Sequence, residues 1–348
     1  VYLGIFFSII FMLGGLFFSG SLARLLGANQ NTFEMTNTYL RVMMLFSPAF
    51  IFNDIILCFV RNDGNPRLSM IATVCGSLFN VVFDYIFIFP CNMGMLGAVL
   101  ATGFSPVVGL TIMSPHWLGK KRGFHFRKLV PDADSIRTNI SLGFPSLLSQ
   151  ISAAIVMIVF NMLILGLEGN TGVAAYGVIA NISLVVLSFY TGIAQGIQPL
   201  VSHSYGRKKT DGIRQFLRYA MISMVILSAV MYLILFVFAD PIASAFNSEH
   251  NAKLQEIAIT GLKLYFTSLV FAGFNIILSM YFTSVEKALP AQIISLLRGL
   301  ILIIPIAFLF ANLWDMTGVW MSFPATELVT AVVGAVLYFI YKNRLYSR

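Results

Sequence analysis

Charge is what this sequence most lacks. Only 10% of its 348 residues are Asp, Glu, Lys or Arg, where an ordinary globular domain carries about a quarter. With a hydrophobic share of 58% and a mean hydropathy of +0.86, that scarcity excludes a soluble core. Histidine is rare as well: His116, His125, His203 and His250 stand isolated, at or beyond the ends of apolar runs. There is no HExxH, no phosphate-cradling glycine loop and no nucleophile elbow, and no His, Asp and Ser constellation at one depth. These absences exclude the familiar hydrolase chemistries. The connections are too short to hold an ATPase domain, so energy must come from an ion gradient or a partner. Cys58, Cys75 and Cys91 lack the clustered spacing of a disulfide framework or zinc site and read as packing residues. The opening VYLGIFFSII lies inside an apolar segment, with no charged start and no small-residue cleavage site. It is therefore expected to continue something longer.

What is present is a succession of apolar runs of roughly 20 residues, long enough to cross a hydrocarbon core of about 30 Å. Ten spans are predicted, at about 2–22, 33–60, 67–90, 95–115, 138–166, 172–201, 213–239, 255–284, 288–313 and 317–341. Nothing shows the short alternating segments of a membrane barrel. The fold class is an all-α polytopic membrane protein. Its charges follow the spans. Seventeen Lys and Arg fall on one set of alternating connections and four (Arg24, Arg41, Lys253, Lys263) on the other. That is the positive-inside signature, so the basic side is read as cytoplasmic. A basic surface for nucleic acid would not alternate in step with the spans, and the net charge of +8 reports topology instead.

The chain repeats itself at an offset of about 222 residues. FNDIILCF (Phe52 to Phe59) matches FNIILSMYF (Phe274 to Phe282), Pro66 matches Pro290, and MLGAVL (Met95 to Leu100) matches MTGVWM (Met316 to Met321). Spans 1–4 thus pair with spans 7–10, and the partners of spans 5 and 6 are expected upstream of Val1. The implied whole has twelve helices in two parallel six-helix repeats, the architecture of transporters that bind substrate between rocking halves. The expected division is an N-lobe remnant over 1–116, a basic cytoplasmic linker over 117–137, a C-lobe over 138–342 and a cytoplasmic tail over 343–348.

Ionisable groups inside a membrane are costly and mark function. Asp84 lies about six residues from the outer end of its span and Thr102 about seven residues into the next, so both sit about 10 Å below the outer surface. Asn80, one turn before Asp84, shares its helix face. Three readings stand: oxygen ligands for a hard cation such as Na+, a carboxylate that carries a proton, or a structural polar cluster. The repeat counterpart of Asp84 falls at Pro305 or Ile306, so its role belongs to one half only. Arg298 and Glu327 both lie near mid-membrane, and an ion pair, structural or dependent on conformation, is expected there in preference to direct substrate contact. Asp54 lies nearer the cytoplasmic end, where Arg61 is its expected neutraliser. Gln150, Asn161, Asn181, Gln195, Gln198 and Asn275 mark faces turned from lipid, either lining a cavity or bonding a neighbouring helix. Pro106, Pro145 and Pro324 are candidate kinks.

Two stretches carry a resemblance that runs through essentially the whole chain. FVRNDGNPRLSMIATVCGSLFNVVFDYIFIFPCNMGMLGAVLATG and AAYGVIANISLVVLSFYTGIAQGIQPLVSHSYGRKK resemble the multidrug and toxic compound extrusion (MATE) family, bacterial drug-pump branch. The resemblance implies family helices three to twelve, and an antiporter in the cell membrane that expels cationic amphipathic drugs against H+ or Na+. The protein is expected to be a monomer with no cofactor beyond the coupling ion. In several members an Asn and an Asp one turn apart on helix five, a Thr on helix six and an Asp on helix one form a cation site. Asn80, Asp84 and Thr102 match the first three, while the helix-one carboxylate has no counterpart in this chain. Two rivals remain. A flippase for lipid-linked oligosaccharides, built on the same superfamily architecture, needs several deep cations, and here only Arg298 is deep. The other is a non-transporting fragment or scaffold, which transport against a gradient would exclude.

Overall fold

The computed structural model describes residues 1–25, 32–119, 123, 132–247 and 251–346. Among them no strand occurs, and thirteen helices follow in order. These are α1 (Tyr2–Phe17), α2 (Ser19–Leu25), α3 (Phe33–Leu45), α4 (Ser47–Asn62), α5 (Pro66–Ile88), α6 (Gly94–Leu118) and α7 (Ala133–Gly206), then α8 (Thr210–Val237), α9 (Ala239–Phe246), α10 (Ala252–Tyr265), α11 (Leu269–Ser284), α12 (Ala288–Leu296) and α13 (Ile303–Tyr346). The chain divides into two compact units, Val1–Ile136 and Arg137–Arg348. Most of the expected linker, including Lys120, Lys121, Arg122, Arg127 and Lys128, lies outside the described residues, as do His125 and His250. Helices enter that stretch from both ends, since α6 continues to Leu118 and α7 starts at Ala133.

Length decides how often the chain crosses. A straight helix of 74 residues such as α7 would measure about 110 Å, far more than any bilayer. It is in fact two helices broken at Gly169, whose φ of 63° suits glycine. The run from α12 through α13 breaks in the same way at Trp314 and Asp315. Two shorter pairs, α1 with α2 and α3 with α4, bend by 83° and 46°, and each pair taken together is long and apolar enough for one span. Helices α10 and α11 join through a single tight turn, Phe266–Ser268. Counted so, the described helices supply ten crossings.

The sharp bends fall at Phe18 and Phe46, whereas Pro106, Pro145 and Pro324 lie inside continuous helices. A proline in a spanning helix is tolerated when a neighbour takes over the carbonyl it frees. Pro145 illustrates this. It cannot donate to the carbonyl of Ser141, and Gln292 Nε2 donates there instead, at 3.0 Å.

In the first unit α5 and α6 share the most extensive contact, and α6 also packs on α4 and α3. Asn65 caps α5, accepting from the N–H of Leu68 at 3.2 Å, and Pro66 follows at the first helical position. Small residues bring α5 and α6 together: Ser105 Oγ donates to the carbonyl of Gly76 at 2.8 Å, and a Cβ on Gly76 would stand 3.1 Å from the Ser105 carbonyl oxygen. Leu78, Val81 and Tyr85 are exposed, as lipid contact requires. In the second unit α11 lies at the centre, buried along most of its length, with α8, α12 and α13 around it.

The α5–α6 contact sets the first testable expectation. Gly76→Leu should force the two helices apart and destabilise the protein by about 1–3 kcal/mol, the usual range for overpacking. Thermal unfolding of the purified protein in detergent will measure it.

Candidate functional site

In the first unit, the α5–α6 seam carries polar side chains from both helices. Asn80 Nδ2 donates to Thr102 Oγ1 at 3.2 Å, and Thr102 Oγ1 donates to the carbonyl of Ala98 at 3.0 Å. The amide of Asn80 is therefore held as a donor to Thr102, and its own carbonyl oxygen keeps lone pairs for a further donor or a cation. Pro106, four residues after Thr102, has no N–H, so the Thr102 carbonyl loses its ordinary helical donor. Asp84 lies one turn beyond Asn80 on the same face. Its Oδ1 is buried and accepts no hydrogen bond from the described residues. A buried acceptor without a donor costs about 1–3 kcal/mol, and more when charged. The structure thus joins Asn80 directly to Thr102 and leaves the neighbouring carboxylate oxygen unsatisfied.

Beside this polar row runs an aromatic one. Phe79, Phe83 and Phe87 follow one another at four-residue spacing, with ring centroids 4.0 Å apart in the first pair and 5.3 Å in the second. Sequence reasoning passed over this ladder, although its period was visible in LFNVVFDYIF. It also passed over Asn53, whose Oδ1 is buried and unpartnered against Gly109.

The second unit holds a different constellation. Arg298 Nη2 donates to Glu327 Oε1 at 2.7 Å and its Nε donates to the same oxygen at 3.1 Å. Asn275 Nδ2 donates to Glu327 Oε2 at 2.7 Å and to the Glu327 carbonyl at 2.9 Å. The Glu327 side chain is 1% exposed and that of Arg298 16%. Here the buried carboxylate has a donor on each oxygen. Asn275, one of the candidate cavity-lining residues, belongs to this cluster: it is fully buried, and its Oδ1 faces Gly334. It is also the repeat counterpart of Asn53, whose oxygen lies closer still to its glycine, Gly109.

Local backbone geometry aims Arg298. It sits in a π-helical turn, Leu297–Ile301, closed by a bond from the N–H of Leu302 to the carbonyl of Leu297 at 3.0 Å. Two features call for the wide turn. Pro305 cannot serve the carbonyl of Ile301, and the buried positions Ala291, Ser295, Gly299, Ile303, Ala307 and Ala311 recur every four residues. A regular helix of 3.6 residues per turn would rotate such a stripe off one face.

The remaining candidates separate by exposure. Gln150 and Asn181 are exposed, while Asn161 and Gln198 are half-buried. Asn181 donates back to the carbonyl of Gly177 at 2.9 Å on its own helix.

Comparison with known proteins agrees with this architecture. A model of the MatE family matches residues 1–86 and 145–309. The multidrug export protein MepA of Staphylococcus saprophyticus is 26% identical over 347 residues, which is 99% of this chain and 76% of that protein. MepA of Staphylococcus aureus is 25% identical with the same coverage. Among solved structures, the outward-facing conformation of a multidrug resistance MATE family transporter of the MOP superfamily matches with a TM-score of 0.92 at 24% identity, covering 100% of this chain and 78% of the other. A MOP superfamily transporter from Pyrococcus furiosus gives a TM-score of 0.90 at 25% identity, covering 99% of this chain and 77% of its own.

The buried ion pair generates a test of its energetics. Arg298→Met strands the Glu327 carboxylate and should cost about 3–5 kcal/mol, whereas the double variant Arg298→Met/Glu327→Leu should recover much of that loss. Thermal unfolding of both variants beside the parent protein reads the difference.

Proposed function

This chain belongs to the MatE family, and from that premise we propose that it is a multi-pass membrane transporter for secondary active multidrug efflux. On this reading it exports cationic amphipathic drugs by antiport with H+ or Na+ through alternating access of two lobes. It acts as a monomer in the cell membrane. Support for efflux comes from the relatives, which are multidrug export proteins. Support for the coupling site comes from one observation above all: the buried Asp84 Oδ1 without a hydrogen bond, one turn from the Asn80–Thr102 contact.

The chemistry follows from that unsatisfied oxygen. A proton on Asp84 would remove the charge outright. A sodium ion would neutralise it while drawing on oxygens of Asn80, Asp84 and Thr102, all hard ligands suited to such a cation. Either occupant stabilises whichever access state buries the carboxylate more completely. An ion can drive the cycle only through that difference in affinity between states. A cationic drug is excluded while the charge is neutralised and is attracted once it is restored, which gives exchange in place of co-transport. The aromatic ladder of Phe79, Phe83 and Phe87 offers a flat apolar surface next to the charge, suited to amphipathic cations. A flippase for anionic lipid pyrophosphates is the weaker reading, because the deep cation Arg298 is already neutralised by Glu327.

Ethidium efflux from everted vesicles, driven separately by a pH gradient and a sodium gradient, tests the proposal. Asp84→Asn should abolish gradient-driven efflux, and Thr102→Val should slow it by about tenfold, the upper end of the worth of one neutral hydrogen bond. The gradient that drives the parent protein names the ion. Efflux by Asp84→Asn at the parental rate would refute the coupling role.

A further inference from the structure

The basic end of α8, in the second unit, carries a second arrangement, built from residues the candidate coupling site does not use. Arg207, Lys208, Lys209, Arg214 and Arg218 lie within twelve residues, and the one acid among them is Asp211. All six side chains are exposed. The turn that presents the first three is ordered by the end of α7. The N–H of Lys208 bonds the carbonyl of Tyr205 at 3.0 Å, and that of Lys209 bonds the carbonyl of Ser204 at 2.9 Å. Lys208 adopts a φ of 56°, at the position after a helix end where glycine is commonest. Ser202 Oγ donates to the carbonyl of Ser284 at 3.2 Å, which ties the end of α7 to the end of α11; Glu286 and Lys287 follow there as one acid and one base.

Below the cations the same face of α8 changes character. Arg214 and Arg218 are one turn apart and head a column that continues through Ile222, Ile226, Val230 and Leu233, all exposed and apolar. The opposite face, from Ile213 to Leu235, is buried in the second unit. From Ile222 to Leu233 the column is about 16 Å long, the depth of one leaflet. Tyr219, 55% exposed, stands at the boundary and accepts a hydrogen bond from Gln215 Nε2 at 3.0 Å. That is the interfacial place where aromatic residues collect.

We propose that this face is a binding site for an anionic phospholipid, with the headgroup phosphate held by Arg214, Arg218 and the Arg207–Lys209 turn and an acyl chain lying along the Ile222–Leu233 column. The charge fits any phosphate. The apolar column directly beneath it fits only one that carries a chain, which selects a lipid over a free anion. Basic residues at a membrane surface favour anionic over zwitterionic lipid, each by about fivefold.

Native mass spectrometry of the purified whole chain, titrated with phosphatidylglycerol and with phosphatidylcholine, reads this directly. The parent protein should bind phosphatidylglycerol at least about tenfold more tightly. Lys208→Gln/Lys209→Gln/Arg214→Gln/Arg218→Gln should lose that preference. Arg214→Lys/Arg218→Lys should keep it, and so should the control Arg67→Gln/Arg137→Gln, which removes two exposed cations elsewhere. The proposal is overturned if the two lipids bind alike, if the fourfold variant binds phosphatidylglycerol as the parent does, or if the control pair loses as much. Displacement of the lipid by an equal concentration of inorganic phosphate would overturn it too, because the acyl column would then contribute nothing.

Discussion

A hydrocarbon interior cannot hydrate a charge, and the arrangement of this protein follows from how each buried charge is dealt with. In the second unit the answer is complete. Glu327 has a donor on each oxygen, from Arg298 and from Asn275, and the π turn and Pro305 put the guanidinium in place. In the first unit the buried Oδ1 of Asp84 has no donor among the described residues. A closed pair holds helices in register.

Much of this was legible in the sequence because membrane physics leaves broad marks. A crossing needs about 20 apolar residues, so the spans could be counted without any knowledge of packing. Depth along a span follows from helix rise, and by that argument Arg298 and Glu327 belonged at one level; in the structure they are hydrogen-bonded. Asn80 and Thr102 could likewise be placed at neighbouring depths.

Packing detail was not legible. The expected kinks at Pro106, Pro145 and Pro324 did not mark the sharp bends, which occur at Phe18 and Phe46. For Pro145 the reason is a tertiary bond: Gln292 takes over the carbonyl it frees, and it is 147 residues away in sequence. The same limit applies to Asn275, where composition allowed a cavity wall or an interhelical bond and contact with Glu327 decided for the bond. The repeat did help in one respect. It pairs Asn53 with Asn275, and in each unit that asparagine has a glycine near its oxygen, more closely at Gly109 than at Gly334. Asp84 by contrast has only Pro305 or Ile306 as its counterpart, so the two halves share a frame and differ in what they do with charge.

The π turn at Leu297–Ile301 has a consequence beyond aiming one arginine. A surplus residue in a helix turns everything after it by about 100° relative to everything before. Ile303, Ala307 and Ala311 therefore face inward only because the count was shifted upstream of them. Like a clock hand set by one extra tooth on its wheel, the inner face of that crossing keeps its phase through a single position, and a one-residue deletion there would turn a buried surface towards lipid without altering any residue on it.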